Sequence, residues 1–242
     1  HNVLDDARYA ENASLLPGIA PMDDEDEGMA MQLSRTLPAP YNDYSILETH
    51  LNAVQQAQHY IFVEDQYWRV PILVDSIMER MEAIPGLHLI VVTNDVAEWN
   101  DPGCYWTAIT HHILLDSFPG RYHYARLSSF AMIEPHRGAD IRGDFADIVI
   151  HSKLMIIDDV FVSVGSCNKN NRGFLYEYEL NVSVLHQATA TDIRRHVLSN
   201  MLGTDRIPDD YLAWIELFDD TVHLNDVARS WWQRREGIFS PS

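Results

Sequence analysis

Two short apolar runs, at 154–157 and 160–164, lie back to back across the pair Asp158-Asp159. Each has the length and composition of a buried strand. Paired as partner strands, they carry the residues ahead of the first run to those behind the second. The residues ahead are His151 and Lys153, two apart, so on a strand both point to one face. Those behind are Gly165, Ser166 and Asn168. One imidazole, one ammonium, one hydroxyl and one amide thereby converge, a set that suits a tetrahedral phosphate anion.

The rest of the chain supplies an α/β setting for this pair. Residues 29–35 alternate as a strand. Ser45 and Glu48 form a capping-box pattern ahead of Leu47, Leu51 and Val54 at helical spacing. Strands are expected at 60–63, 87–93, 122–127 and 179–185, with 148–150 leading into the phosphate motif. Helices are expected from Pro71 to the Pro85-Gly86 stop, at 104–117, and at 189–202, 208–217 and 222–234. Alternation of this kind predicts an α/β fold, an α-β-α sandwich around a mixed central sheet. There is no internal repeat. Residues 1–30, with the run from Asp23 to Glu27, read as an acidic flexible segment. A domain over 31–204 and C-terminal helices over 205–242 follow.

Charge narrows the partners. Seventeen basic against 36 acidic residues give −19, which argues against nucleic acid, whose phosphates need clustered Lys and Arg. It also disfavours broad electrostatic adhesion to an anionic membrane. Cys104 and Cys167 have no metal-ligand spacing and imply no disulfide. Neither a metal nor a cofactor is expected. No apolar run approaches the roughly 20 residues of a membrane span, and no leader is visible before His1. The chain is therefore expected to be soluble and to begin at a cleavage point or an artificial boundary; its compartment is open.

Each motif residue has chemistry to offer. An imidazole attacks phosphorus or, when protonated, supplies a proton to a leaving alkoxide. Lys153 is a compact positive charge for a non-bridging phosphoryl oxygen. Ser166 and Asn168 add neutral donors where charge redistributes in the transition state. Gly165 permits close backbone approach. Glu179, at the start of a later strand, is placed to accept the imidazole N–H and fix its tautomer.

The stretch from His151 to Asn168, with Asp158 between, resembles the H-x-K-x4-D-x6-G-S-x-N signature of the phospholipase D superfamily at every position. The resemblance extends outward. Residues 61–68, with Glu64, Gln66 and Tyr67, resemble the I-Y-I-E-N-Q-Y-F segment that precedes the second signature of true phospholipases D. Asn170-Asn171-Arg172 and Glu177–Leu180 resemble the segments after it, and 194–203 its L-R-x-x-L-W-x-x-H-L-G helix. The chain departs with Asp65 for Asn, Trp68 for Phe and Gly173 for Ser. The resemblance implies catalytic roles for His151, Lys153, Asp158, Ser166, Asn168 and Glu179. Gly165, Gln66, Tyr67 and Arg172 are the substrate contacts, although Arg172 equally suits a tie to Glu177.

Members of that superfamily bring two signatures to one site. One histidine forms a phosphohistidine and the other protonates the departing alcohol; water or another alcohol then takes the phosphatidyl group, and no metal is required in the commonest form. This chain has one H-x-K only. Three arrangements remain: a C-terminal half whose partner half carries the other signature, a homodimer like the superfamily's small nucleases, or a non-catalytic relative. The first is favoured, and it implies hydrolysis or transphosphatidylation of glycerophospholipids, with His151 as general acid. A phosphatidyltransferase such as cardiolipin or phosphatidylserine synthase is the alternative. Trp99, Tyr105, Trp106, Phe130 and the Trp231-Trp232…Arg234-Arg235 tail are candidate lipid-facing residues, or else pack within the protein.

Overall fold

The computed structural model describes residues 29–94, 104–133 and 142–236. The acidic run and Trp99 fall outside them. The described strands are β1 (Met31–Leu37), β2 (Asp43–Tyr44), β3 (Tyr60–Asp65), β4 (His88–Val92), β5 (Tyr122–Ala125), β6 (Ser128–Ile133), β7 (Arg142–Asp147), β8 (Lys153–Ile157), β9 (Phe161–Gly165) and β10 (Glu179–Leu185). The helices are α1 (Ser45–Val54), α2 (Pro71–Ala83), α3 (Cys104–Ser117), α4 (Gln187–Leu202) and α5 (Tyr211–Glu236), with a π-helical turn at Arg172–Tyr176.

Eight strands form one sheet in the order β2-β1-β10-β9-β8-β3-β4-β5, and β6-β7 pair as a separate hairpin. β3, β4 and β5 run parallel, and the remaining pairings are antiparallel. The sheet is thus mixed and lies between two helical layers, as the alternation of elements predicts. Because β3 is buried on both faces, it reads as a continuous apolar run, Tyr60–Val63, rather than an alternation.

On one face, Ile61, Val63, Leu89, Val91 and Met155 pack against α1, α2 and Phe174 of the π-helical turn. Pro71 opens α2 where its missing N–H is harmless, and Leu73, Val74, Ile77 and Met81 supply the buried stripe. On the other face, Phe62, Ile90, Ile156 and Val162 pack against Ala190 and Leu198 of α4 and Trp214, Ile215 and Phe218 of α5. The Trp214 ring meets Tyr60 edge-on, with centroids 5.0 Å apart. The C-terminal helix therefore belongs to the same core.

Several expectations change. The helices expected at 208–217 and 222–234 are one 26-residue helix, because nothing between them is a helix breaker. The strand expected over 122–127 ends at Ala125, and the β6-β7 hairpin follows it. Ser45 is not a cap: Tyr44 holds that position, and the Ser45 hydroxyl instead bonds the Arg35 backbone at both N–H (3.0 Å) and C=O (3.2 Å).

Candidate active site

Strand direction decides which residues meet. The C-terminal ends of β3, β4 and β9 and the N-terminal ends of β8 and β10 all lie at one end of the sheet. That end receives Gln66 and Tyr67 after β3, Asn94 after β4, His151 and Lys153 at the start of β8, Gly165 to Asn168 after β9, and Glu179 at the start of β10. Nine of the ten residues expected at the site, Arg172 included through its loop, belong to this end.

Asp158 does not. It sits in the β8-β9 turn with φ +53°, at the opposite end of the hairpin. Its carboxylate accepts the backbone N–H groups of Gln58 (2.6 Å), His59 (2.9 Å) and Tyr60 (2.8 Å). It fastens the turn to the entry of β3 and touches no other expected site residue. Asp159 completes the anchor by pairing with Arg194 of α4 at 2.7 and 2.9 Å and accepting the Tyr60 hydroxyl at 2.7 Å.

His151 precedes β8 and is exposed, whereas Lys153 is the first strand residue and is 7% exposed. They do not share a strand face, because β8 starts after His151. Their link is a hydrogen bond from Lys153 Nζ to the His151 carbonyl oxygen, 2.7 Å. Burial pushes the Lys153 ammonium below its ordinary range, and the Asp65 and Glu179 carboxylates oppose that shift.

Ser166 is clasped to β10. Its N–H donates to Leu180 O (3.0 Å), and its hydroxyl bonds the Glu179 carboxylate while accepting the Leu180 N–H (3.1 Å). Glu179 therefore holds Ser166, not the His151 imidazole, because the hydroxyl lies directly between β9 and β10. Burial raises the Glu179 pKa, and the Ser166 hydroxyl offsets part of the rise. Asn168 Oδ1 is buried and has no hydrogen-bond partner in the protein. An orphaned acceptor at such a position fits a donor arriving with substrate or with a facing histidine.

Gly165 has a steric role different from the one expected. A Cβ there would lie 2.2 Å from Leu180 O and 2.3 Å from Asn181 Oδ1. The close approach is to β10, not to a ligand. Gly173 is similar: its Cβ would meet the Asn168 carbonyl at 2.7 Å, so serine does not fit without a shift. Arg172 is exposed and paired with Glu177, the tie rather than the free headgroup contact. Tyr67 lies beneath the Arg69 guanidinium at 4.2 Å.

Two positioning residues escaped the sequence reading. Asn94 accepts the Ile150 N–H (2.8 Å) and donates to the carbonyls of Ile150 and Gln66, both at 3.3 Å. It grips the peptide just before His151. Asn181 accepts the Cys167 N–H at 3.2 Å and donates to Ser163 Oγ at 3.2 Å, which fixes the loop carrying Ser166 and Asn168. Neither stands within a short motif window, so only the fold reveals them. Among the described residues no His/Cys/Asp/Glu cluster is set to hold a metal ion. Cys167 is a free, buried thiol whose pKa burial pushes up to about 12.

Around this end, several apolar side chains are exposed: Val149 (75%), Tyr176 (67%), Tyr178 (66%) and Trp106 (59%). A second exposed strip lies along the sheet. Leu33, Val182 and Val164 occupy one row through their cross-strand pairing, and the row continues to Leu154. Leu154 is buried under the helices, but Leu33 and Val164 are 70% and 48% exposed. Neighbouring Met31 and Leu180 are exposed as well.

The fold thus gathers an imidazole, an ammonium, a hydroxyl and an amide at one end of a mixed α/β sheet. Residues 51–201 match the family described as cardiolipin synthase, PLD-like domain, and the chain belongs to that phospholipase D-like family. Over 195 residues it is 23% identical to cardiolipin synthase 2 of Staphylococcus epidermidis, covering 78% of this chain and 34% of that protein. It is also 24% identical to phospholipase D2 of Bos taurus over 240 residues, 75% of this chain and 25% of the relative. The chain thus spans about a third or less of the curated relatives it matches. The structure of NucT from Helicobacter pylori superposes with a TM-score of 0.51 at 16% identity, over 72% of this chain and 98% of that one, a likeness of fold.

Proposed function

We propose that this chain supplies one half of a phospholipase D-type active site that cleaves the phosphodiester of a glycerophospholipid. The observation that carries the reading is the convergence of His151, Lys153, Ser166 and Asn168 at one end of the β8-β9 hairpin, with a single exposed imidazole. In this reading a histidine from the other half attacks phosphorus, the P–O bond to the alcohol breaks, and His151 gives its proton to the departing oxygen. Water or a second alcohol then attacks phosphorus, its proton passes to His151, and the N–P bond breaks. Lys153 and the Asn168 amide N–H groups hold the non-bridging oxygens through both steps, while Ser166, its hydroxyl proton on Glu179, fixes the loop that carries Asn168. The exposed row of Leu33 and Val164 supports a facing half, since apolar surface of this kind is rarely left to water. That half is a domain with the other signature or a second copy of this chain.

Release to an alcohol is the second reading. It is favoured by the cardiolipin synthase description of the matched family and by the cardiolipin synthase relative. The test is incubation of the chain, with whatever copurifies, with phosphatidylcholine vesicles, with and without added glycerol. Phosphatidic acid supports hydrolysis, and a phosphatidylglycerol product supports transfer. Full retention of either activity in His151→Ala overturns the site. A covalent phosphoadduct on this chain, and not on its partner, reverses the assigned histidine roles.

A further inference from the structure

The chain contains two lysines among 242 residues, Lys153 and Lys169, and both are buried at the candidate site. Lys169 is fully buried and has no path to a ligand. Its ammonium lies 3.4 Å from Asp65 Oδ2, and Asp65 is fully buried too. Asp65 is also the cross-strand partner of Lys153 in the β3-β8 register. One carboxylate therefore has two ammonium groups within its electrostatic reach. The structure shows which one it holds: Lys169 is on Asp65, and Lys153 is on the His151 carbonyl.

Backbone contacts fix this choice. Asp65 Oδ1 accepts the Tyr67 N–H at 2.9 Å, the Arg69 N–H donates to Lys169 O at 3.0 Å, and Arg69 bridges to Asn170. The loop after β3 and the loop after β9 are thereby clipped together with Lys169 aimed inward. A buried charge left unpaired is strongly unfavourable, and burial already raises the Asp65 pKa, so Asp65 either takes up a proton or draws a cation. Without Lys169, the next one along is Lys153.

We propose that Lys169 is a positioning residue that occupies Asp65, so that the Lys153 ammonium stays free to leave the His151 carbonyl for a phosphoryl oxygen. The proposal rests on the reading that Lys153 receives phosphate. The charges around Lys153 are those of Asp65, Glu179 and Lys169, and all three act on its ionisation. Nearby His50 is kept neutral, its pKa lowered to about 3 by burial and by the Lys169 charge, so it does not compete as a cation for Asp65.

The two ends of this salt bridge should then behave differently. In Lys169→Met, Asp65 captures Lys153 and turnover of phosphatidylcholine falls at least tenfold. In Asp65→Asn the buried Lys169 amine sheds its proton, no carboxylate remains to capture Lys153, and turnover stays within threefold. The double variant Asp65→Asn/Lys169→Met recovers to within threefold of the parent. With 15N-lysine labelling, the parent gives two side-chain signals. Inorganic phosphate is expected to shift the Lys153 signal in the parent, in Asp65→Asn and in the double variant, but not in Lys169→Met. Equal losses in both single variants, or no rescue in the double, overturn the proposal and leave a merely structural ion pair. Should Lys169→Met fail to fold, Asp65→Asn decides alone, and loss of both turnover and the phosphate shift overturns it. A parent that turns over no phosphodiester but keeps the asymmetric phosphate shifts sinks the functional reading and upholds this one.

Discussion

Lys153 Nζ donates to the carbonyl oxygen of His151 at 2.7 Å, two residues back along its own chain. The residue that offers charge to a phosphate and the residue that offers an imidazole are thus tied through the main chain. Under the proposed function the same ammonium, with two further N–H donors, turns to a phosphoryl oxygen. Lys153→Met is expected to lower kcat/KM on phosphatidylcholine by about 10³-fold, the scale of a lost transition-state donor. Lys153→Arg is expected to recover about a tenth of the parent activity or less, since a planar fork does not replace a point charge in a nearly closed site. Steady-state kinetics check both.

Asn94 holds both polar groups of the Ile150 peptide and the Gln66 carbonyl. Its loss releases the segment that aims His151 without touching substrate. Asn94→Ala is expected to reduce kcat about 100-fold with KM changed by less than about threefold, as misplacement by an ångström does. Equal changes in kcat and KM would refute the positioning role.

Asp158 belongs to folding rather than to chemistry. Asp158→Ala removes three short backbone contacts at the β8-β9 turn and is expected to lower stability by about 2–3 kcal/mol in urea denaturation. The kcat of the folded fraction should stay within about twofold. A loss of kcat like that of a His151 variant would return Asp158 to the site.

His50 sets an acid limit on stability. Its imidazole is fully buried, donates to Ile46 O at 2.8 Å, and has its pKa lowered from 6.5 to about 3 by burial and the Lys169 charge. The unfolded chain takes up the proton first, so stability is intact above pH 6.5 and declines as pH falls toward 3. At about 1.4 kcal/mol per pH unit, this single group removes about 2 kcal/mol by pH 5. Urea midpoints measured from pH 7 to 4 should fall, and His50→Leu should flatten the slope by about one proton.

The short strands and their chemistry were legible early because their signals are local. The β8-β9 pair, the buried β3 run and α2 behind Pro71 all follow from periodicity and turn residues within a dozen positions. The misplaced element, Asp158, was legible too: five residues of strand rise put it about 16 Å from Lys153. Spacing within a signature is not proximity, and only the hairpin turn settles which end a residue joins.

Residue types and their order alone therefore determined the α/β class, the clustered imidazole, ammonium, hydroxyl and amide, and the single H-x-K that carries them. Tertiary structure decided what each side chain is spent on. Glu179 serves Ser166, Gly165 clears a path for β10, and Arg172 is held by Glu177. Asn94 and Asp65 reach the site from strands and loops dozens of residues away. Such contacts depend on which strand ends the sheet gathers, and that is fixed by the packing of two helical layers on it rather than by any stretch of sequence.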